Sequence, residues 1–559
     1  MPSFLSSAHR PGRLSILVYI FLYLLPLGAR PLFIPDETRY AEIPREMIAG
    51  GDWIVPHING VRYFEKPVLG YWVSAVSLLV VGENNFGVRL PSALATGFTA
   101  LLLLLLGDRR GKSDPPPLRF APFVLLTALG VVGVGTFAVL DSLFSFFLTA
   151  TLISFFLATE EKAGSGRERL RLGVAGLAAG CAFLTKGFLA FAVPTLTAAP
   201  YLALTRRWRD CFRMLPLPLA AALVLALPWS LLIHGREPDF WNYFFFHEHL
   251  HRFLSDSAQH REPFWYFSAV LPPMLLPWTF MVPAVLPGLL RYRAAPQSPE
   301  KRLMLYSLCW LFFPFFFFSA SNGKLLTYIL PCFPATAILL SLGLSASLWD
   351  GGKTRLFNTG LRALLFFFVL LIAGLLLVQV AAVGPFRPFI RSWKWLLLIN
   401  GLIVAVLICI AALRCRDVHH GIVLCGLAPA ALLFITNFTL PKPTLDVKAP
   451  GLLLSRHKTA LARAGTILSG EETARSVPWY AKRDDILLIE RGGELDYGLR
   501  YADEAGRLLS PQAAGQLISR QQGRVVLIAE YEEYDRWRHH LPLPTTVDSM
   551  GKFLFLSYH

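Results

Sequence analysis

Long apolar runs fill the chain up to about residue 440 and then stop. Stretches such as 101–106 and 366–380 recur along this length. A run of about 20 apolar residues can cross a bilayer, because a helix satisfies its own backbone where no water is available. About thirteen crossings are expected, near 14–29, 86–107, 119–137, 142–159, 172–185, 188–205, 214–234, 265–290, 303–320, 326–348, 363–383, 395–413 and 421–440. The first follows Arg10 and Arg13 and carries a weak cleavage signal at Leu27-Gly28-Ala29. With so many spans after it, it reads as an uncleaved anchor. Segment 68–82 is too short to cross and is expected to lie in the membrane interface.

Polar positions set the orientation. Connectors 108–119, 160–171, 206–213, 291–302, 349–362 and 414–420 carry 4, 4, 4, 4, 3 and 2 Lys or Arg. The alternate connectors 138–141, 186–187 and 321–325 carry 0, 1 and 1. Positive charge stays on the cytoplasmic side. The amino terminus is then cytoplasmic, and loops 30–85 and 235–264 face outward with everything after 440. In a bacterium the protein sits in the inner membrane and that outer side is the periplasm.

From Pro441 onward the pattern changes. Strand-like runs at 466–468, 485–490, 524–530 and 553–558 alternate with helical patterns at 471–482, 511–521 and 531–539. This predicts a small α/β domain. The fold class is therefore a polytopic α-helical membrane protein, a transmembrane domain at 1–440 followed by a C-terminal domain at 441–559.

Composition agrees. The chain has 559 residues, 54% hydrophobic and only 16% charged, against about 25% charged in soluble domains. The net charge of +16 follows the connector bias and does not call for nucleic acid. The seven cysteines lie in or beside apolar segments with no metal-ligand spacing. They read as small buried hydrophobes.

Chemistry concentrates on the outer face. Asp36, Glu37, Arg39, Tyr40 and Glu42 follow the first span, then Tyr63, Glu65 and Lys66. Asp141 and Lys186 stand at outer span ends, and Lys324 precedes Tyr328. Ionisable residues at membrane depth are functional candidates, although a lysine there can also snorkel to the headgroups. Between spans lie His247, Glu248, His249, His251 and Arg252. His247 and His251 are i, i+4, which on a helix aligns both rings for a metal, with Glu65 as a further ligand. The same residues also serve as plain hydrogen-bonding groups. Grouped cations suit a phosphate, aromatic residues beside them suit a sugar, and carboxylates suit a base or a partner for hydroxyl or amine groups. No nucleotide fingerprint appears, and a donor carried on a lipid phosphate needs none. A secondary transporter would place charges and helix breaks at mid-membrane in repeated halves, and no internal repeat is present.

Asp36-Glu37-Thr38-Arg39-Tyr40-Ala41-Glu42, Gly51-Asp52-Trp53-Ile54-Val55-Pro56 and Tyr63-Phe64-Glu65-Lys66-Pro67-Val68-Leu69-Gly70-Tyr71-Trp72 resemble the bacterial 4-amino-4-deoxy-L-arabinose lipid A transferases. These group with the protein O-mannosyltransferases among C-type membrane glycosyltransferases. The resemblance covers the layout of the chain. It implies transfer of aminoarabinose from undecaprenyl phosphate to a phosphate of lipid A. The alternative is a sister transferase moving another polyprenyl-phosphate-linked sugar, such as galacturonic acid, galactosamine or a hexose, to lipid A, glycan core or protein. In either case a monomer among membrane lipids is expected. Relatives that move galacturonic acid or galactosamine share much of the motif. By resemblance Asp36 is the first essential carboxylate and Asp141 the second, with Glu37 beside them. Lys66, Arg252 and Tyr328 match the residues that hold the lipid phosphate. Arg39, Tyr40, Tyr63, Glu65 and His247 look like the surrounding shell, and Lys186 and Lys324, read from their place at outer span ends, are further substrate-binding candidates. Glu65 with His247 resembles the family's contacts to an accessory divalent metal such as zinc. The tail supports no residue transfer.

Overall fold

The computed structural model describes residues 11–110, 118–251, 260–294, 298–348, 354–380, 389, 391–521 and 524–558. Apolar sequence becomes helix as expected. Among the described residues eight helices are long and apolar enough to cross a membrane, from Asn85–Gly107 to Val418–Thr436, and a bent pair makes up to nine. The bent pair, Tyr266–Met274 and Trp278–Ala294, turns by 95°. A second break falls at Ala128, between helices Ala121–Thr127 and Leu129–Gly135. The two breaks face each other. The Leu129 amide donates to the Leu276 carbonyl at 2.9 Å, and the Trp278 indole donates to the Thr127 hydroxyl at 3.0 Å. Each break thus supplies a backbone partner that lipid cannot.

Hydroxyls inside the spans are satisfied locally. Thr96, Thr99 and Thr149 each donate to the carbonyl four residues back, the usual way a helix carries Thr without an orphan donor.

The polar segment after the first span is largely helix, and most of it is buried. Asp36–Gly50 begins with two acids in its first turn, where the helix dipole favours them. It ends at Gly51, whose φ of 71° is the left-handed cap glycine supplies. A hairpin follows, β1 (His57–Ile58) and β2 (Val61–Arg62), turning at Asn59 and Gly60 with φ 56° and 71°. Asn-Gly is the sequence that tolerates such a turn. Glu46 accepts both turn amides, at 2.5 and 2.9 Å. The Leu69–Val81 helix buries Tyr71, Ala75 and Leu78 but exposes Val76, Leu79 and Val80. That one-sided apolar face fits a helix lying in the interface.

The tail builds one six-stranded sheet from β3 (Thr466–Ser469), β4 (Leu487–Ile489), β5 (Leu508–Leu509), β6 (Val525–Glu530), β7 (Thr546–Met550) and β8 (Phe553–Tyr558), in the order β5-β4-β3-β6-β8-β7. The first four pair parallel, and β8 runs antiparallel between β6 and β7. Every residue of β8 is buried, as an inner strand covered on both faces must be. Short β5 and the half-exposed β7 carry weak apolar patterns and are not foreseen in the sequence.

This sheet unit is fastened to the segment after the first span. The Asn59 side chain donates to the Ile486 carbonyl at 2.8 Å and accepts the Ile486 amide at 3.1 Å. Arg507 donates to the Asn59 and Asp484 carbonyls, both at 2.6 Å. Gly60 sits so close beneath that a Cβ there would meet the Arg507 guanidinium and the Asp484 carbonyl at 2.7 Å.

Candidate active site

The Asp36–Gly50 helix sets two carboxylates about 100° apart, and they meet opposite surroundings. Glu37 turns inward and is fully buried. Arg30 reaches it at 2.6 and 3.0 Å and Arg89 at 2.6 and 2.8 Å, while the Phe33 and Ala138 amides add bonds of 3.0 and 3.1 Å. Burial opposes its charge, but the Arg89 and Arg30 guanidinium groups outweigh it and hold the carboxyl at about 2. No face of Glu37 is left for a substrate. Its geometry is that of a brace between the first span, the helix carrying Arg89 and the Ala138 turn.

Asp36 turns outward, its side chain 41% exposed. Arg39 lies beneath it, buried, with one nitrogen 3.1 Å from Asp36 and another 2.6 Å from Glu494. Burial alone would weaken the Arg39 charge, but Tyr63, Glu494, Asp36 and Glu65 around it raise its pKa. Glu494 comes from the tail. It also accepts from the Tyr63 hydroxyl at 3.3 Å and pairs with Arg475 at 3.3 Å. Sequence reasoning missed Glu494. The one local signal is Gly492-Gly493 before it, with Gly493 at φ 59°, a tight turn that aims the next side chain.

Further tail residues fix the same region. Arg62 bonds Glu237 at 2.9 Å and Asp503 at 3.0 Å and stacks over Tyr501 at 4.5 Å. Tyr497 packs against Phe64 and Tyr243.

Tyr40 joins this cluster to a second one. Its phenol is buried, and its ring stacks on Tyr71 at 6.1 Å. Burial pushes its pKa up; Arg39 opposes this, and the charges of Asp36, Asp141 and Glu65 add to it. All three carboxylates therefore act on one ring. In the second cluster Lys186 donates to Asp141 at 2.6 Å and stands 4.9 Å over the Tyr328 ring. Asp141 opens the Leu140–Thr159 helix, and Lys186 closes Gly166–Lys186.

Lys66 donates to the Glu65 carbonyl at 2.8 Å, and its ammonium lies 4.0 Å from the Glu65 carboxylate. Lys324 stands apart. It is buried and capped by the Glu262 carbonyl at 2.7 Å and the Ser321 carbonyl. These bonds tie its loop to residue 262. Arg252 and the His247 side chain lie outside the described residues. Among the described residues no three His, Cys, Asp or Glu side chains converge to hold a metal ion, and Glu65 stands against a lysine.

An open carboxylate over an Arg–Glu–Arg chain whose two arginines are buried, with a Lys–Asp pair and aromatic rings beside it, can receive a charged or hydroxylated group and hold a phosphate. Residues 14–244 match the Dolichyl-phosphate-mannose-protein mannosyltransferase family, and residues 445–557 match the C-terminal domain of arabinosyl transferase ArnT. The undecaprenyl phosphate-α-4-amino-4-deoxy-L-arabinose arabinosyl transferase of Aeromonas hydrophila subsp. hydrophila is 38% identical over 97% of this chain and 98% of its own. The enzyme of that name from Pectobacterium carotovorum is 37% identical, with 97% of each chain covered. The crystal structure of ArnT from Cupriavidus metallidurans bound to undecaprenyl phosphate superposes with a TM-score of 0.81 at 24% identity, covering 97% of each chain. That last likeness concerns the fold.

Proposed function

Because the chain belongs to the undecaprenyl phosphate-α-4-amino-4-deoxy-L-arabinose arabinosyl transferase family, we propose that it moves aminoarabinose from undecaprenyl phosphate to a phosphate of lipid A. It is a membrane glycosyltransferase that uses a polyprenyl-phosphate sugar. The bond from the sugar's anomeric carbon to the polyprenyl phosphate breaks, and an acceptor phosphate oxygen takes that carbon. Undecaprenyl phosphate leaves with the electron pair. No proton need move, since the acceptor is already an anion at neutral pH.

The chain's own groups supply position and charge. Lys66, with Arg252, neutralises the charge growing on the departing phosphate, and the Tyr328 hydroxyl donates to it. Preorganised charge of this kind is usually the largest catalytic term. Asp36 takes the sugar's ammonium group or orients the acceptor. Asp141 holds Lys186 in place, and Arg39, Tyr40 and Tyr63 shape the floor beneath the sugar. The supporting observation is the contrast within one helix turn, where Asp36 is 41% exposed above a buried and paired Arg39. Both substrates are amphiphiles, so the bilayer concentrates them and aligns their heads at one interface.

The membrane arrangement follows the same reading. Eight long spans, the bent pair, Gly166–Lys186, the split 121–135 segment and the shorter helices Gly12–Leu24 and Leu189–Leu204 give about thirteen crossings of the bacterial inner membrane. The site and the sheet unit at 441–559 then share the periplasmic side, and the enzyme works as a monomer. Purified protein given undecaprenyl phosphate-aminoarabinose and lipid A tests the reaction. One aminopentose added to lipid A is the expected product; unchanged lipid A with intact protein would overturn the proposal.

A further inference from the structure

The spans leave a cavity of about 370 Å³ between the helices Leu140–Thr159, Gly166–Lys186, Leu189–Leu204 and the Trp208–Arg236 region. That volume lies in the range of small-molecule pockets. Its wall is made of short or apolar side chains, among them Phe155, Ala179, Ala198, Ala199, Met214 and Pro218. Along Leu189–Leu204 the lining runs from Ala190 to Leu202, about 18 Å at 1.5 Å per residue. A long, narrow, apolar slot between membrane helices suits a hydrocarbon chain.

The far end of the slot says which lipid. Cys211 of connector 206–213 lines it, and the Arg213–Glu168 pair at 2.7 Å sets connector 160–171 alongside. The two connectors together carry eight Lys or Arg and four acids. Every one of those acids is engaged. Glu160 pairs with Arg302, Glu161 with Arg171, Glu168 with Arg213 and Asp210 with Arg207. Among the described residues Lys162, Arg167, Arg169, Arg206 and Arg209 join no ion pair, and all five are exposed. Beside them the short Trp208–Met214 helix exposes Trp208 and Phe212 while turning Cys211 and Met214 into the slot. A free cationic rim, an interfacial aromatic and an apolar slot together match an anionic head with an acyl chain.

We propose that this slot binds one acyl chain of an anionic phospholipid of the bilayer leaflet on that side, with the lipid phosphate against Arg206 and Arg209. At the site end Lys186 is paired with Asp141 and Arg39 with Glu494, whereas the five cations without an ion pair all lie at the opposite end. The surplus charge at the opposite end therefore favours a leaflet lipid over a polyprenyl chain entering from the site.

The test uses the full-length protein in nanodiscs of neutral phosphatidylcholine, doped with phosphatidylglycerol and ejected into a mass spectrometer. One phosphatidylglycerol should stay bound. Arg206→Gln with Arg209→Gln should weaken its retention by about five-fold per charge removed. Ala198→Phe, which fills the slot, should abolish it, and the surface double variant keeps the test open if that core variant fails to fold. Equal retention of phosphatidylcholine, retention untouched by the double variant, or displacement of phosphatidylglycerol by added undecaprenyl phosphate would each overturn the assignment.

Discussion

Replacing Glu37 by Gln separates a brace from a catalytic group. The carboxylate takes six hydrogen bonds, four from Arg30 and Arg89 and two from backbone amides. Gln keeps the shape but removes the charge, leaving two buried guanidinium groups without their counter-ion. Breaking a buried ion cluster from one side costs about 3–5 kcal/mol. Titration gives a similar figure. A carboxyl drawn from 4.5 to about 2 by folding favours the folded chain by about 3 kcal/mol above its ordinary range. The sign follows from the lowered value. This stabilisation is complete above about pH 4.5 and is lost as pH falls toward 2. A detergent-solubilised sample followed by fluorescence-detected gel filtration after heating should melt well below wild type for Glu37→Gln at pH 7. The gap should shrink as both are acidified. Transfer per folded molecule should stay close to wild type. A variant that melts like wild type yet transfers nothing would refute the brace and return Glu37 to the chemistry.

Glu494→Gln should lower transfer by at least about ten-fold, the effect of 1.4 kcal/mol, because Arg39 and Arg475 lose their shared counter-charge; an unchanged rate in a radiolabelled-sugar assay would remove the tail from the site. Lys186→Met leaves Asp141 without its cation and should cut turnover, with Lys186→Arg restoring part of it; equal activity of both variants would make the pair dispensable. On a background without native cysteines, Thr545→Cys should react with a membrane-impermeant maleimide on spheroplasts; labelling only after lysis would invert the proposed orientation.

What the sequence disclosed depended on how local the cause was. Helices in lipid are dictated by their own residues, so the apolar runs read directly. That Asp36, Arg39 and Tyr40 lie together is equally local, because one helix turn brings them together. Which carboxylate is sealed is not local, since adjacent residues on a helix point about 100° apart and only the packing of Arg30 and Arg89 shows that it is Glu37. Glu494 lies 455 residues from Arg39, with the whole transmembrane bundle between them. No spacing rule connects such a pair. The broken spans at Ala128 and Leu276 escaped for a similar reason, because the two breaks bond each other across the bundle.

The most direct test is mass spectrometry of lipid A from cells that make the aminoarabinosyl donor but lack their own transferase, supplied with this chain or its Asp36→Asn variant. One added aminopentose is expected with the native chain and none with the variant, both proteins being present in the membrane in equal amounts. Lipid A left unmodified by the native chain, or modified equally by the variant, would contradict this reading.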